Sequence, residues 1–323
     1  MKENSNTVND VYDIIIIGGG PAGLTAGLYA SRARMKTLLI ESMSVMGEAT
    51  MTDLIENYPG VEKMNGFDLV ATFKKQAVSF GLECVMGTVS NVASRSGKGA
   101  APVWRVEDEN GAKEALSAII ASGARPKKLM VPGEDEFLGK GISYCATCDG
   151  AFFREKDIVV VGGGDTAVEE AVFLTRFGKT VTIIHRRDRL RAAKILQERA
   201  VADEKIKFIL GSTVEEIYGG NKVEGVRVKN RDTGEITDKA CDGVFIFAGW
   251  EPNTGFLAGT VQMDKYGHIM TDEGMSASAE GAFACGDCRA KLLRQVITAC
   301  GDGATAAFSA QKYVEEIKGV AYK

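Results

Sequence analysis

Histidine is scarce in this chain: of 323 residues only His185 and His268 carry an imidazole, so the commonest proton shuttle has few places to sit. Long apolar runs are missing too, and stretches such as Ile14 to Ile17 are strand-sized, far too short to span a bilayer. There is no excess of positive charge. With 39 Lys and Arg against 43 Asp and Glu the net charge is −4, which gives no support to nucleic acid or an anionic membrane as partner. Met1 to Asp10 is polar and lacks the apolar stretch of a signal peptide. Seven cysteines, an odd number, without a secretion signal point to reduced thiols in a cytoplasm.

What is present describes a soluble globular chain, 45% apolar and 25% charged, long enough for two domains. Its centre is Cys145-Ala146-Thr147-Cys148-Asp149-Gly150. A C-x-x-C pair can close and open a disulfide with little backbone movement, and exchange proceeds through the thiolate, so a proton donor and acceptor is needed nearby. Asp149 is the candidate acid. A zinc site with the second C-x-x-C, Cys285 to Cys288, and an inert structural disulfide are the competing readings; ligand spacing disfavours the first and a cytosolic setting the second.

Two stretches carry a dinucleotide fingerprint. Val11 to Ile17 reads as a buried parallel strand and runs into Gly18-Gly19-Gly20-Pro21-Ala22-Gly23, a helix from about Ala22 to Arg32, and a strand Thr37 to Ile40 that delivers Glu41. Gly18, Gly20 and Gly23, with Pro21 and Ala22 between them, let backbone N–H groups and a helix N-terminus approach a pyrophosphate. Glu41, about 20 residues on, is placed to bind a ribose hydroxyl pair. The pattern then repeats. Strand Asp157 to Val161 enters Gly162-Gly163-Gly164-Asp165-Thr166-Ala167, a helix to about Phe177, and a strand Thr180 to Ile184. That strand ends in His185-Arg186-Arg187-Asp188-Arg189-Leu190-Arg191 where the first ends in an acid. Guanidinium groups there would pair with a 2′-phosphate, so the first site suits a dinucleotide with a free ribose and the second suits NADP(H).

The remainder supports a duplication. Gly66 to Phe80 is a helix by its apolar spacing, and Asn110-Gly111 joins a hairpin of Val103 to Val106 and Ala115 to Ala121. Val214 to Tyr218 and Val223 to Lys229 form the matching hairpin, and Gly243 to Phe247 a further strand. Ser122-Gly123-Ala124-Arg125-Pro126 has its counterpart in Ala248 to Asn253. Gly281 to Asp287, Arg294-Gln295-Val296 and Gly301 to Ala304, opening an alanine-rich last helix, then complete the first unit. The expected fold is α/β, with two Rossmann-like domains, the second inserted into the first: residues 1–124 plus 252–323, and residues 125–251.

With these motifs the chain resembles the low-molecular-weight, bacterial-type NADPH-dependent thioredoxin reductases over nearly its whole length. The resemblance rests on G-x-G-x-x-G, E-N-x-P-G, C-A-T-C-D-G, G-x-G-x-x-A with H-R-R-x-x-x-R, and G-D with R-Q-V. It implies FAD at the first site and NADPH at the second. Cys148 would lie against the flavin, Cys145 would attack the thioredoxin disulfide, and Asp149 would be the acid. Gly47, Glu48, Asn57, Gly123, Gly286, Asp287, Arg294, Gln295 and Val296 would line the flavin. Gly162, Gly164, Asp165, Thr166, Ala167, His185, Arg186, Arg187 and Arg191 would hold NADPH. A homodimer is implied as well, and so is rotation of the second domain about pivots near Gly123–Pro126 and Gly249–Asn253.

The chain departs from the family pattern at four places. Met46-Gly47-Glu48 stands for the usual G-G-Q, so an acid replaces an amide at the flavin and would lower its potential or stay protonated. Asp53 replaces a small polar residue, and Ser122 a threonine. Cys285-Gly286-Asp287-Cys288, with Cys300 nearby in sequence, is either an auxiliary dithiol or cysteine used as small apolar filling; the second is the simpler expectation. Cys84, Cys241 and the methionines Met43, Met46 and Met51 read as packing. The same relay serving another protein disulfide, an FAD-dependent dithiol oxidase, a ferredoxin-fed flavin enzyme and a non-enzymatic nucleotide sensor are the alternatives; the oxidase and the ferredoxin-fed enzyme have no use for the arginine set, the sensor none for the dithiol.

Overall fold

The computed structural model describes residues 11–42, 47–52, 55–95, 101–257 and 259–321, with only the backbone of Glu48, Met51 and Cys148. Met43, Met46 and Asp53 lie outside these residues, and so do the side chains of Glu48, Met51 and Cys148. The chain divides into two compact units, Met1–Arg125 with Glu251–Lys323, and Pro126–Trp250.

In the first unit, β1 (Val11–Ile17) turns into α1 (Pro21–Arg32) and β2 (Thr37–Glu41) follows. Then come α2 (Gly66–Ser79), β3 (Glu83–Met86), β4 (Asn91–Arg95), β5 (Val103–Asp108) and β6 (Gly111–Ile120). The four isoleucines of β1 are buried on both faces because β1 is central, paired in parallel with β2 and β6. Ile14 and Ile16 pack against α1, whereas Ile15 and Ile17 join Trp104 and Val106 on the other side. β4, β5 and β6 form an antiparallel extension turned at Gly111, in the left-handed region at φ +117°.

The second unit repeats the scheme. From β7 (Ala124–Pro126) the chain passes to β8 (Ile142–Ser143) and the single turn α3 (Ala146–Asp149). The nucleotide-type repeat is β9 (Asp157–Gly162), α4 (Asp165–Leu174), β10 (Thr180–Ile184), α5 (Lys194–Ala202) and β11 (Ile206–Ile209). A separate antiparallel sheet holds β12 (Ser212–Gly219), β13 (Val223–Asn230) and β14 (Ile236–Ala240). β15 (Gly243–Phe247) returns between β9 and β8, and the order β11-β10-β9-β15-β8 is parallel throughout. α4 ends at Leu174, short of the expected Phe177, because the chain tightens there into turns that hydrogen-bond Phe177 N to Leu174 O.

The chain leaves through β16 (Trp250–Pro252), which pairs with β7, so the two connections form a two-stranded ribbon. β17 (Ala282–Ala284) pairs with the second half of β6, and α6 (Val296–Lys318) closes the first unit. α6 begins five residues before the expected glycine-rich start. Gln295 and Thr298 cap it reciprocally, an arrangement that removes the need for a turn at Gly301. Gly303 is required for packing: a Cβ there would lie 2.2 Å from the Ala22 carbonyl oxygen of α1.

Candidate active site

The first cradle is built at the end of β1. Gly18 adopts φ +116°, and a Cβ there would strike the Ala121 carbonyl oxygen at 2.2 Å, so the turn can pass only as glycine. Gly23 lets α1 sit on that turn, since a Cβ would fall 1.9 Å from the Gly18 oxygen. Between them Gly20 faces open space, with no protein atom within 4 Å of a would-be Cβ, and Pro21 starts the helix with no lost amide. Glu41 ends β2 beside this turn and is ion-paired with Lys74. The middle residue, Gly19, had no assigned role in the sequence, yet it is what Glu41 lies against.

A second group of residues converges on the same unit. Gly286 N–H donates to Asp302 Oδ2 at 3.1 Å, and Asp302 also pairs with Lys291 at 2.7 Å and Arg289 at 3.2 Å. Beside this network the Asp287 Oδ1 and the Arg294 Nε are buried with no protein partner. Burial pushes the Asp287 carboxyl up, opposed by the Lys291 and Arg294 charges. Ser122 Oγ, at the end of β6, is a third such orphan. Buried polar atoms are nearly always paired, so these three fit a site whose remaining hydrogen bonds belong to a polar ligand. Asn57 Nδ2 donates to Gln295 Oε1 at 3.0 Å, which joins two more of the predicted flavin residues directly. Gly47 comes close to the cradle: a Cβ on it would lie 3.9 Å from the Gly20 α-carbon. Nothing in the sequence singled out Asp302, because its three partners are read only in space.

The cysteines of this unit separate. Cys285 belongs to the core on the α1 side of the sheet and Cys288 to the opposite core, both fully buried. Burial pushes the Cys288 thiol up to about 11 and raises Cys285 well above its ordinary value. Two protonated thiols in separate cores are packing groups, as the simpler expectation had it. Cys300 is elsewhere, its thiol donating to the Pro21 carbonyl oxygen at 3.9 Å, and lines a cavity of about 290 Å³ with Tyr58, Phe73 and Leu24. Cys84 is half-buried and Cys241 buried, its thiol pushed up to about 12.

The second cradle repeats the three leading glycines of the first, with Ala167 where the first has Gly23. Gly163 meets the imidazole of His185, with a would-be Cβ 2.5 Å from its Cγ and Nδ1. Gly164 is open, apart from the Arg191 guanidinium at 3.9 Å. Arg191 N–H donates to the Gly163 oxygen at 2.7 Å and Asp165 accepts from Ala193 N–H at 2.7 Å, so the arginine loop is tied to the turn. Arg186, Arg187 and Arg191 are exposed, whereas Thr166 and Ala167 lie on the first turn of α4. His185 is buried with its Nε2 unpartnered, and burial, then Arg191, Arg186 and Arg187, lowers its pKa. An uncharged imidazole under three exposed guanidiniums fits a phosphorylated ribose.

In the same unit Cys145 is disulfide-bonded and stands at the start of α3. Its N–H donates to Ser143 Oγ at 3.0 Å, and Asp149, half-buried, closes the turn by donating its N–H to the Cys145 oxygen at 3.2 Å. Thr147 Oγ1 is buried without a partner.

Comparison with known proteins agrees with this arrangement. The family model for pyridine nucleotide-disulphide oxidoreductases matches residues 12–303. A thioredoxin reductase of Peptoclostridium litorale is 46% identical over 317 residues, covering 96% of this chain and 99% of that protein. One from Listeria monocytogenes is 48% identical over 311 residues, covering 95% of each. The crystal structure of Lactococcus lactis thioredoxin reductase in its FR conformation superposes with a TM-score of 0.91 at 46% identity, covering 94% of this chain and 99% of that one. Similarity of this extent, over nearly the whole chain, settles the family: the chain belongs to the pyridine nucleotide-disulphide oxidoreductases and, within them, to the thioredoxin reductases.

Proposed function

We infer that this chain reduces oxidised thioredoxin with NADPH, through FAD and the Cys145–Cys148 pair. The observation that carries the reading is the difference between two otherwise matched cradles: a carboxylate, Glu41, lies over the first and a neutral His185 with three arginines over the second. An acid accepts ribose hydroxyls and repels a 2′-phosphate; the arginines do the reverse. The unit of residues 1–125 and 251–323 is accordingly the FAD-binding one, and Pro126–Trp250 binds NADPH and carries the dithiol.

Bound FAD supplies a two-electron carrier that takes hydride from NADPH and delivers an electron pair to a disulfide. The chain's own groups do the rest. The amides of the Gly18–Gly23 turn and the start of α1 hold a pyrophosphate, and Glu41 orients the ribose. Asp287, Arg294 and Ser122 offer their unpartnered polar atoms to the remainder of the cofactor, with Gly47, Asn57, Gly123, Gln295 and Val296 around it. In the second unit Gly162, Gly164, Asp165, Thr166 and Ala167 form the NADPH turn. Once the pair is reduced, the Cys145 thiolate attacks one sulfur of the thioredoxin disulfide and expels the other as a thiolate. Cys148 then attacks Cys145, restoring their disulfide and releasing the second thioredoxin thiolate. Asp149 takes the proton from a thiol and returns one to a leaving thiolate, so two electrons and two protons pass in all.

The working enzyme is read as a cytoplasmic homodimer. Tyr29 on α1 and Ile297 and Phe308 on α6 are exposed apolar side chains that a second copy would cover, and no helix among the described residues is long and apolar enough to cross a membrane. Sedimentation of the purified holoprotein tests the dimer. Thioredoxin-dependent oxidation of NADPH tests the activity, and its absence with an FAD-loaded protein would move the search to another protein disulfide.

A further inference from the structure

The second turn of α6 carries Gly301-Asp302-Gly303, three residues that favour a helix poorly. Gly303 is required to pass the Ala22 carbonyl, but no such packing explains Asp302. The Asp302 side chain is 12% exposed, and it accepts from three donors of one short segment. They are Gly286 N–H at 3.1 Å, Arg289 Nη1 at 3.2 Å and Lys291 Nζ at 2.7 Å. Arg289 and Lys291 are buried to a similar depth, so both cations have left water and depend on this carboxylate.

Two of these donors lead to groups of the first cofactor site. Gly286 turns in the left-handed region at φ +76°, against the start of α1, where a Cβ would lie 2.8 Å from that of Ala22. Its N–H, held by Asp302, fixes the turn that carries Asp287. Lys291 serves the other flank: its carbonyl oxygen accepts from Arg294 Nη1 at 3.4 Å. The third donor, Arg289, also bonds Thr271 through its Nε at 2.9 Å, and Ile269 pairs with Cys288 and Ala290. The segment from Gly286 to Lys291 is thus anchored to α6 on one side and to Ile269 on the other. On its flanks stand Asp287 Oδ1 and Arg294 Nε, both buried and without a protein partner. The Lys291 and Arg294 charges oppose the rise of the Asp287 pKa, so the three side chains stand close together.

We propose that Asp302 is a positioning residue for the flavin cofactor: by holding Gly286 and Lys291 it sets Asp287 and Arg294 so that their unpartnered atoms meet one ligand. The proposal rests on the assignment of FAD to the first unit. Both oxygens of Asp302 are engaged within the protein, so it acts through its neighbours and not by touching the cofactor. An acid and a guanidinium already fixed in the bound direction lose little freedom when the ligand arrives, and the ligand is held more tightly for it.

The test follows FAD leaving the holoprotein, read as the rise in flavin fluorescence after dilution. Asp302→Asn keeps the side-chain shape and removes the charge. It is expected to speed release about tenfold, and Asp302→Glu, which keeps the charge, to stay within about threefold of wild type. Asp287→Asn supplies the comparison that a merely structural role would not move. In that background Asp302→Asn is expected to add about threefold or less, because one of the two groups it positions is already impaired. Lys291→Gln cuts the same network more mildly and is expected to speed release about threefold, again less so beside Asp287→Asn, which carries the comparison if Asp302→Asn does not fold. Release from the Asp302→Asn and Lys291→Gln proteins within about twofold of wild type would overturn the positioning role. So would an Asp302→Glu rate equal to that of Asp302→Asn, or the same acceleration with and without Asp287→Asn. A wild-type protein that neither carries nor takes up FAD would instead overturn the FAD assignment itself.

Discussion

Glu41 closes over Gly19 so tightly that a methyl group on the glycine would meet the carboxylate Oε2 at 2.3 Å and the Glu41 Cβ at 2.8 Å. Gly163 and His185 repeat the relationship in the second unit. Each middle glycine therefore sets where the ribose-recognising side chain stands. Gly19→Ala is expected to weaken FAD retention and Gly163→Ala to raise the KM for NADPH, each by about tenfold or more. Each substitution is also expected to cost about 1–3 kcal/mol of stability from overpacking. FAD content after gel filtration, the NADPH KM and urea unfolding read the three effects.

The arginine loop makes a sharper claim. Replacing Arg186, Arg187 and Arg191 together by alanine removes the charges that pair with a 2′-phosphate. The KM for NADPH is expected to rise about 100-fold while that for NADH changes little, so the preference collapses. Steady-state kinetics with both nucleotides measures it, and a parallel loss with both would mean the loop acts only as scaffold.

Much of the fold and of the site is legible in the sequence, for physical reasons that differ from residue to residue. Ile14 to Ile17 announce a central parallel strand because only a strand covered on both faces carries four isoleucines in a row. Gly18 and Gly162 are readable because the tight turn and backbone approach to a pyrophosphate demand glycine, and the change from Glu41 to His185 with its arginines because a free ribose and a 2′-phosphate call for opposite charges. Other features are not local. Cys285 and Cys288 look like a pair at i and i+3, yet the short helical turn after β17 sends them to opposite faces of the sheet. Glu134 and Tyr144 are ten residues apart and meet only through folding, and Asp302 gathers Gly286, Arg289 and Lys291 from a separate helix.

That separation of cysteines has a chemical consequence. With their thiols held protonated by burial, Cys241, Cys285 and Cys288 are expected to resist iodoacetamide in the folded protein, whereas Cys145 and Cys148 become reactive once NADPH has reduced them. Peptide mass spectrometry after alkylation counts the sites. Cys285→Ala and Cys288→Ala are expected to retain thioredoxin reduction and lose only about 1 kcal/mol of stability each.

His185 ties stability to pH. Its folded-state pKa lies below the ordinary 6.5, through burial first and then the Arg191, Arg186 and Arg187 charges. As pH falls from 6.5 toward the lowered value the unfolded chain takes the proton first, so stability is expected to fall on acidification across that window and to level off below it. Thermal unfolding of wild type and His185→Asn at a series of pH values isolates the effect, because the variant is expected to lack this slope. An unchanged slope would place it on other groups.

Anaerobic stopped-flow absorbance of the FAD-loaded protein reads the order in which electrons pass from nicotinamide to flavin to thioredoxin. Mixing with NADPH is expected to bleach the flavin quickly and NADH to do so poorly, and oxidised thioredoxin is then expected to restore the colour. In Cys145→Ser the bleaching is expected to persist and the thioredoxin-dependent return to vanish, because the thiolate that attacks the partner is gone. Flavin that neither nicotinamide reduces, or that thioredoxin reoxidises as fast in Cys145→Ser as in the wild type, would contradict the relay.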